Sequence, residues 1–330
     1  MAERRIGQLS FADDLVAERP NVTLERIASL VDWSRVEALL HGLRSGSRGA
    51  PAYPSLVLFK ALLLQQWYGL SDPGLEETVA DRLSFRRFLG LSLSEPVPDH
   101  STLWRFREQL GKSGLAEHAF ASIVGQIERS GFVLKRGTLI DASLIRSAVN
   151  APEPPAAPPT LDGEDRPASK LVGSPHDPEA AWTKKEGRYF FGYKMHVGMD
   201  ADSRIVRRLA FTPANINESV AADALICGDE AIVYADKAYD SHARRKLLRT
   251  KHIMNGIMRR GHPRRPLTAY AIRRNKRLAK HRGTIEAIFS LYKNVHKLAR
   301  ARYRGLARNA TTAYLTAAAM NLKRVAVMAA

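Results

Sequence analysis

The periodicity of apolar residues changes once along the chain, near Gly131, and this change limits the fold more than any other feature. Before it, apolar positions recur every three or four residues, the spacing that gives a helix one apolar face. Residues 23–43 place Leu24, Ile27, Leu30, Val31, Val36, Leu39 and Leu40 in this way. Pro54 can open a second helix through Leu56, Phe59, Leu62, Leu63 and Trp67, since the N–H that proline lacks is unpaired in a first turn anyway. Ser71-Asp72-Pro73 starts a third helix over 75–89, Asp99-His100-Ser101-Thr102 starts one through Leu103, Phe106 and Leu110, and 115–127 suits another. Residues 1–130 are therefore expected to form an all-α domain. Arg105 and Arg107 on one of these helices suit a DNA-contacting module of the helix-turn-helix kind, although plain helix packing gives the same pattern.

After Gly131 the apolar runs shorten to strand length. Residues 138–145 read as a strand carrying one acid, Asp141, and 231–235 as a buried strand ending at Asp236. Between them, 193–199 and 205–211 resemble an antiparallel pair joined at Asp200-Ala201-Asp202-Ser203. Residues 218–226 suit a helix, as does the stretch from about Ser241; a strand at 253–258 and helices from about Ala269 complete an α/β domain over 131–330. Residues 150–187 contain Pro152, Pro154, Pro155, Pro158, Pro159, Pro167, Pro175 and Pro178 and are expected to be a long loop or disordered insert.

Charge bears on the partner. The chain holds 51 Lys and Arg against 33 Asp and Glu, a net charge of +18. From residue 241 onward there are 23 basic residues and a single acid, Glu286, so the whole positive excess lies there. A solvated surface normally mixes both signs, and a one-sided segment favours a polyanion such as nucleic acid. Composition alone would equally describe a basic tail with no chemistry. No run approaches the ~20 apolar residues of a spanning helix, which argues against a membrane. The lone Cys227 excludes an internal disulfide and a cysteine-rich zinc site. The opening Met1-Ala2-Glu3-Arg4-Arg5 has no apolar run behind its charges, so a secretory leader is not expected and a cytoplasmic setting is.

A carboxylate in an apolar strand is costly unless a cation or strong donor meets it. Asp141 and Asp236 on neighbouring strands would repel each other and attract a divalent ion, with oxygen ligands favouring Mg²⁺ or Mn²⁺ over zinc. A lone aspartate in such a place more often caps the next turn. On a helix through 282–293, at 100° per residue, Arg282, Glu286 and Lys293 fall within an arc of ~40°, beside an apolar arc of Ile285, Ile288, Phe289 and Tyr292. That geometry puts Glu286 at the edge of a docking face, where a site beside the strands would lie. His100 and His196 lack any metal-ligand spacing and read as structural, and Trp182 as an anchor for the end of the insert.

Asp141, Asp236 and Glu286, on strand, strand and late helix, resemble the triad of DDE-type insertion-sequence transposases. The spacing of Arg282, Glu286 and Lys293 is similar to the late signature of the group around insertion sequence five, with Ala279 where that pattern has a tyrosine. Pro98-Asp99-His100-Ser101-Thr102-Leu103-Trp104-Arg105-Phe106, Asp177-Pro178-Glu179-Ala180-Ala181-Trp182-Thr183, Gly192-Tyr193-Lys194-Met195-His196, Thr212-Pro213-Ala214-Asn215 and Ala235-Asp236-Lys237-Ala238-Tyr239-Asp240 carry the likeness across the chain. The resemblance implies a ribonuclease-H-like mixed five-stranded sheet flanked by helices. It also implies two Mg²⁺ or Mn²⁺ ions, ~3.5–4 Å apart, held by Asp141, Asp236 and Glu286. Cleavage at the ends of an element would free a 3′-hydroxyl, which then attacks target DNA, with a homodimer pairing two ends. Arg282, Lys293, Lys237, Lys297 and Arg300 would contact DNA phosphates, as would Arg302 and Arg304. A nuclease or resolvase on the same fold, or a DNA-binding regulator without catalysis, would share many of these residues.

Overall fold

A computed structural model describes residues 4–8, 21–43, 51–153, 174–185, 187–262 and 266–330; the central part of the expected insert, 154–173, lies outside them. The chain divides into two units, 1–132 with 314–330, and 133–313. The final stretch thus groups with the helices at the start of the chain, not with the α/β unit in which 131–330 had been expected to end.

Helices make up the first unit among the described residues: α1 (Val22–Leu30), α2 (Trp33–Leu40), α3 (Ser55–Tyr68), α4 (Asp72–Asp81), α5 (Leu83–Leu89), α6 (His100–Ser113) and α7 (Leu115–Arg129). Two helices expected to be continuous are broken. Asp32 turns its side chain onto Ser34 N–H, ending one helix and capping the next, and Arg82 leaves helical geometry between α4 and α5. α3 is apolar on nearly every side and buried accordingly. Its polar side chains find partners: Trp67 Nε1 donates to Ala319 O at 2.6 Å, and Thr316 Oγ1 donates to Gln66 Oε1 at 2.9 Å. Arg107 is buried on α6, donating to both Asp72 carboxylate oxygens at 2.5 and 3.0 Å and to Gln65 Oε1 at 3.1 Å. Its guanidinium is engaged inside the unit and is not presented to DNA, contrary to the sequence expectation.

The second unit is built on a mixed sheet of β1 (Thr138–Arg146), β2 (Ala181–Lys185), β3 (Arg188–Asp200), β4 (Val206–Pro213), β5 (Ile232–Ala235) and β6 (Met254–Ile257). β1 pairs antiparallel with β3 and parallel with β5, and β5 pairs parallel with β6. β4 pairs with residues 193–199 of β3, and β2 with residues 188–192. Apart from β2, this is the ribonuclease-H-like arrangement. The sixth strand corrects the expected insert boundary: residues 181–185 pair with β3, and Trp182 is buried against Tyr189 and Phe191. Gly198 lets the chain pass close, since a Cβ there would lie 2.6 Å from Leu225 O.

One face of the sheet is closed by an apolar cluster of Ile140, Val233, Ala235 and Ile257 with Ala222, Leu225, Tyr239, Leu248 and Ile253. The last five come from α8 (Glu218–Ala222), the turn after it, the turn after β5, α9 (His242–Thr250) and the residue before β6. The unit continues through α10 (Ala269–Ala279) and α11 (Arg282–Ser290); α12 (Leu306–Met328) starts here and finishes among residues of the first unit. The expected helix over 282–293 changes character at Leu291, where five residues form a π turn. Such turns widen the spacing to i→i+5 and cluster at functional positions.

Candidate active site

Strand register brings the two aspartates together. Leu139 on β1 lies opposite Tyr234 on parallel β5, so two residues further on Asp141 and Asp236 stand level on adjacent strands. Side chains alternate between faces with period two, which sends both the same way. Asp236 is the first residue beyond β5, and its Oδ1 accepts Lys237 N–H at 2.5 Å, capping the tight turn Lys237–Tyr239. Asp141 is mid-strand, with Oδ1 accepting Ala142 N–H at 2.8 Å.

The third acid arrives on α11, which docks through buried Ile285, Ile288 and Phe289. Glu286 sits beside this apolar face, and Arg282 one turn earlier extends toward the strands. The Arg282 guanidinium meets all three acids: Nη1 is 3.2 Å from Asp236 Oδ2, and Nη2 is 4.0 Å from Asp141 Oδ2 and 3.6 Å from Glu286 Oε1. Side-chain exposure is 16% for Asp141, 27% for Asp236, 36% for Arg282 and 62% for Glu286. Glu286 is therefore the most solvated of the three. Burial raises the Asp141 pKa to about 6, outweighing the Ala142 N–H and the Arg282 charge; Glu218 adds to the rise and Lys185 opposes it.

These donors suit a hard divalent cation, being all carboxylate oxygen and set around a point already occupied by positive charge. Among the described residues, no three of His, Cys, Asp or Glu lie close enough together to hold one metal ion. The guanidinium stands between the carboxylates and carries the compensating charge.

The other expected site residues separate into two groups. Lys237 is exposed directly after Asp236, and Lys293 is half-buried in the π turn, its pKa lowered by burial and by the charge of Lys185. Lys297 is exposed. Arg300, expected on DNA, instead donates to Ser147 O at 3.0 Å and Ala148 O at 2.9 Å, and its backbone bridges to Arg146. That guanidinium ties down the end of β1. Arg105 is exposed on α6, in the other unit from the acids. His196 is buried, with Nε2 3.0 Å from Thr212 Oγ1, and burial together with Lys194 holds its pKa down to about 4. It is a neutral structural side chain.

Two supports escaped sequence reasoning. Buried Arg244 donates to Tyr239 O at 2.6 Å, Ser219 O at 2.6 Å and Asp223 Oδ1 at 2.7 Å, fastening the turn after Asp236 to α8. Buried Asp177 accepts from Ser147 Oγ at 2.5 Å, Tyr193 O–H at 2.6 Å and Gly305 N–H at 3.0 Å, joining the end of β1 to β3 and to the segment before α12. Its place in a family-like segment was the available signal for Asp177. Nothing in the sequence distinguishes Arg244 from the basic residues around it.

No helix among the described residues is long and apolar enough to cross a membrane. Residues 12–109 match the family described as transposase domain (DUF772), and residues 134–322 match the family described as transposase DDE domain. No solved structure gives a significant match. The DDE match covers more than half the chain and contains Asp141, Asp236 and Glu286, in a family that generally depends on divalent metal ions. The chain belongs to the transposase DDE domain family and is an insertion-sequence DDE transposase, an enzyme that acts on DNA.

Proposed function

We propose that Asp141, Asp236 and Glu286 are the carboxylates at which this transposase cuts and joins DNA, and that they would hold two Mg²⁺ or Mn²⁺ ions only after the Arg282 guanidinium has left the space between them and Glu286 has moved in. The observation that carries the reading is the meeting of the three acids, distant in sequence, on the single guanidinium of Arg282. Ions bound there would lower the pKa of bound water and offset charge on the phosphate under attack.

The protein residues divide the remaining work. Asp141 is fixed by a central strand and Asp236 by the turn it caps, so their carboxylates are held in place before DNA arrives. Glu286, on the solvated edge of α11, has the most freedom to move toward an incoming strand. Arg282 neutralises the acids in the resting arrangement and, once released from them, is within reach of a phosphate laid over the same point. Lys237 and Lys293 flank that position, and Lys297 extends it. The first reaction frees a 3′-hydroxyl at the element end; the second uses that hydroxyl to attack target DNA at the same carboxylates. The domain of residues 1–130, with Arg105 exposed on α6, recognises the element end, and a homodimer pairs two ends. The spacing of Arg282, Glu286 and Lys293 supports membership of the group around insertion sequence five, and the reading places the enzyme's work in the cytoplasm, on the nucleoid.

The test uses duplexes that carry the sequences flanking the reading frame, with and without Mg²⁺, and maps nicks and joints. Asp141→Asn, Asp236→Asn and Glu286→Gln are each expected to abolish cleavage and joining while retaining DNA affinity. A purified variant that cuts at the wild-type rate refutes the role given to its residue.

A further inference from the structure

α10 is attached to the second unit in an unusual way. None of its residues is buried, so it is not held by an apolar face. One side is held by polar bonds. Arg274 donates to Ile257 O at 2.9 Å and to Asn255 O, covering the edge of β6, and Asn275 exchanges bonds with the Arg259 backbone at 2.8 and 3.0 Å. Thr268 caps the start of the helix, and at its far end the His281 ring stacks on Tyr234 of β5 with centroids 4.2 Å apart. α11, with Arg282 and Glu286, follows at once.

At 100° per residue, the opposite side presents Tyr270, Arg273, Lys276, Arg277 and Lys280 within an arc of about 120°. All five are exposed, Tyr270 to 63%. Arg273 with Arg277, and Lys276 with Lys280, are like-charged i,i+4 pairs, which disfavour an isolated helix. α10 contains no acid to relieve them, and no ion pair to these four cations occurs among the described residues. Same-sign crowding is also felt by Arg274, whose pKa is lowered first by burial and then by Arg259, with Arg277 contributing. Repulsion maintained along an exposed stripe, on a helix secured from behind, is relieved by an extended polyanion lying along it.

We propose that this stripe of α10 is a docking surface for the phosphate backbone of duplex DNA, leading to the carboxylates on β1, β5 and α11. The stripe runs about 10 Å from Arg273 to Lys280 at 1.5 Å per residue, enough to follow successive phosphates of one strand. It reads no base edge and so contributes affinity without sequence preference. Tyr270 adds a hydroxyl donor beside the first cation. The proposal rests on the chain acting on DNA but not on which acids catalyse.

The experiment measures binding of a labelled duplex by fluorescence anisotropy across a salt series, using the full-length protein. In Arg273→Gln/Lys276→Gln/Arg277→Gln/Lys280→Gln, glutamine keeps helix propensity while removing charge. With about 0.9 in log–log slope per phosphate contact, the salt dependence is expected to become shallower by roughly 2–4, and affinity at ~0.15 M salt to fall by about tenfold or more. Arg273→Lys/Arg277→Lys, which keeps the charge, should stay near wild type. Unchanged slope and affinity overturn the proposal, and so does weaker binding with an unchanged slope, which would indicate a folding defect. If the variant instead loses binding to an acidic polypeptide such as poly-glutamate while duplex binding is intact, the surface belongs to a protein partner and the proposal is also overturned. Cleavage by Asp236→Asn, assayed in parallel, tests the catalytic assignment separately.

Discussion

Replacing Arg282 by Gln removes the cation that touches all three acids, and the expected consequence can be sized. Asp236 at 3.2 Å and Asp141 at 4.0 Å are the contacts that count; Glu286 is mostly solvated, and its share is small. Two partly buried pairs, discounted for a guanidinium more than a third exposed, amount to about 1–2 kcal/mol. For a unit of this size that loss lowers Tm by roughly 2–8 °C in metal-free buffer. A divalent ion answers the same carboxylate charge that the guanidinium answers. The same 1–2 kcal/mol should therefore reappear as Mn²⁺ binding tighter by roughly 5–30-fold in Arg282→Gln than in wild type. Thermal unfolding in EDTA, followed by calorimetric titration with Mn²⁺, reads both quantities without any DNA. An unchanged metal-free Tm, with Mn²⁺ binding no tighter than in wild type, refutes the view that Arg282 neutralises the three acids.

Other outcomes follow from groups outside the triad. His196 takes up its proton near pH 4 when folded but near 6.5 when unfolded, so the unfolded chain binds more protons in between. Its contribution to stability is whole above about pH 6.5 and is lost progressively toward pH 4, by about 3 kcal/mol in all; denaturant titrations of His196→Gln should show a correspondingly flatter acid limb, and an identical limb contradicts the buried neutral assignment. Arg107→Met removes the countercharge of the Asp72 carboxylate, which keeps the Gln65 amide, and should cost about 3 kcal/mol of stability while leaving the salt slope of DNA binding unchanged. Arg105→Gln should do the reverse, making the slope shallower by about 1 at little cost in stability; a shallower slope in Arg107→Met would reopen a DNA role for that side chain.

Asp141 and Asp236 were legible because each interrupts or ends an apolar run, where an acid needs a physical reason to be. The level placement of the two was not legible, since it depends on a parallel register that no local pattern encodes. Glu286 was visible as the one acid in the basic C-terminal stretch, yet the contact of Arg282 with all three carboxylates was not, because it requires long-range geometry. β2 was hidden because prolines dominated the composition of its surroundings, while only Trp182 and Thr183 marked a strand. The breaks at Asp32 and Arg82 were missed for a related reason. Apolar spacing continued across them, and a cap at Asp32 competes with helix continuation by energies too small to read against packing. Basic side chains were the least legible. Arg107, Arg244, Arg274 and Arg300 look like a surface charge track in sequence, yet each guanidinium binds carbonyls or carboxylates of the protein itself.

The course of α12 bears on how the molecule is made. Synthesis delivers Trp67, Gln66 and Phe120 early, but Ala319, Thr316 and Tyr314, which they meet, come much later, after the whole of the α/β unit. A nascent chain released only as far as residue 130 therefore lacks the Ala319 carbonyl that receives the Trp67 indole N–H and the Tyr314 ring that packs near Phe120. The helical unit cannot be completed until residues 314–330 have been made, so its two parts mature together, after the sheet between them has had time to form.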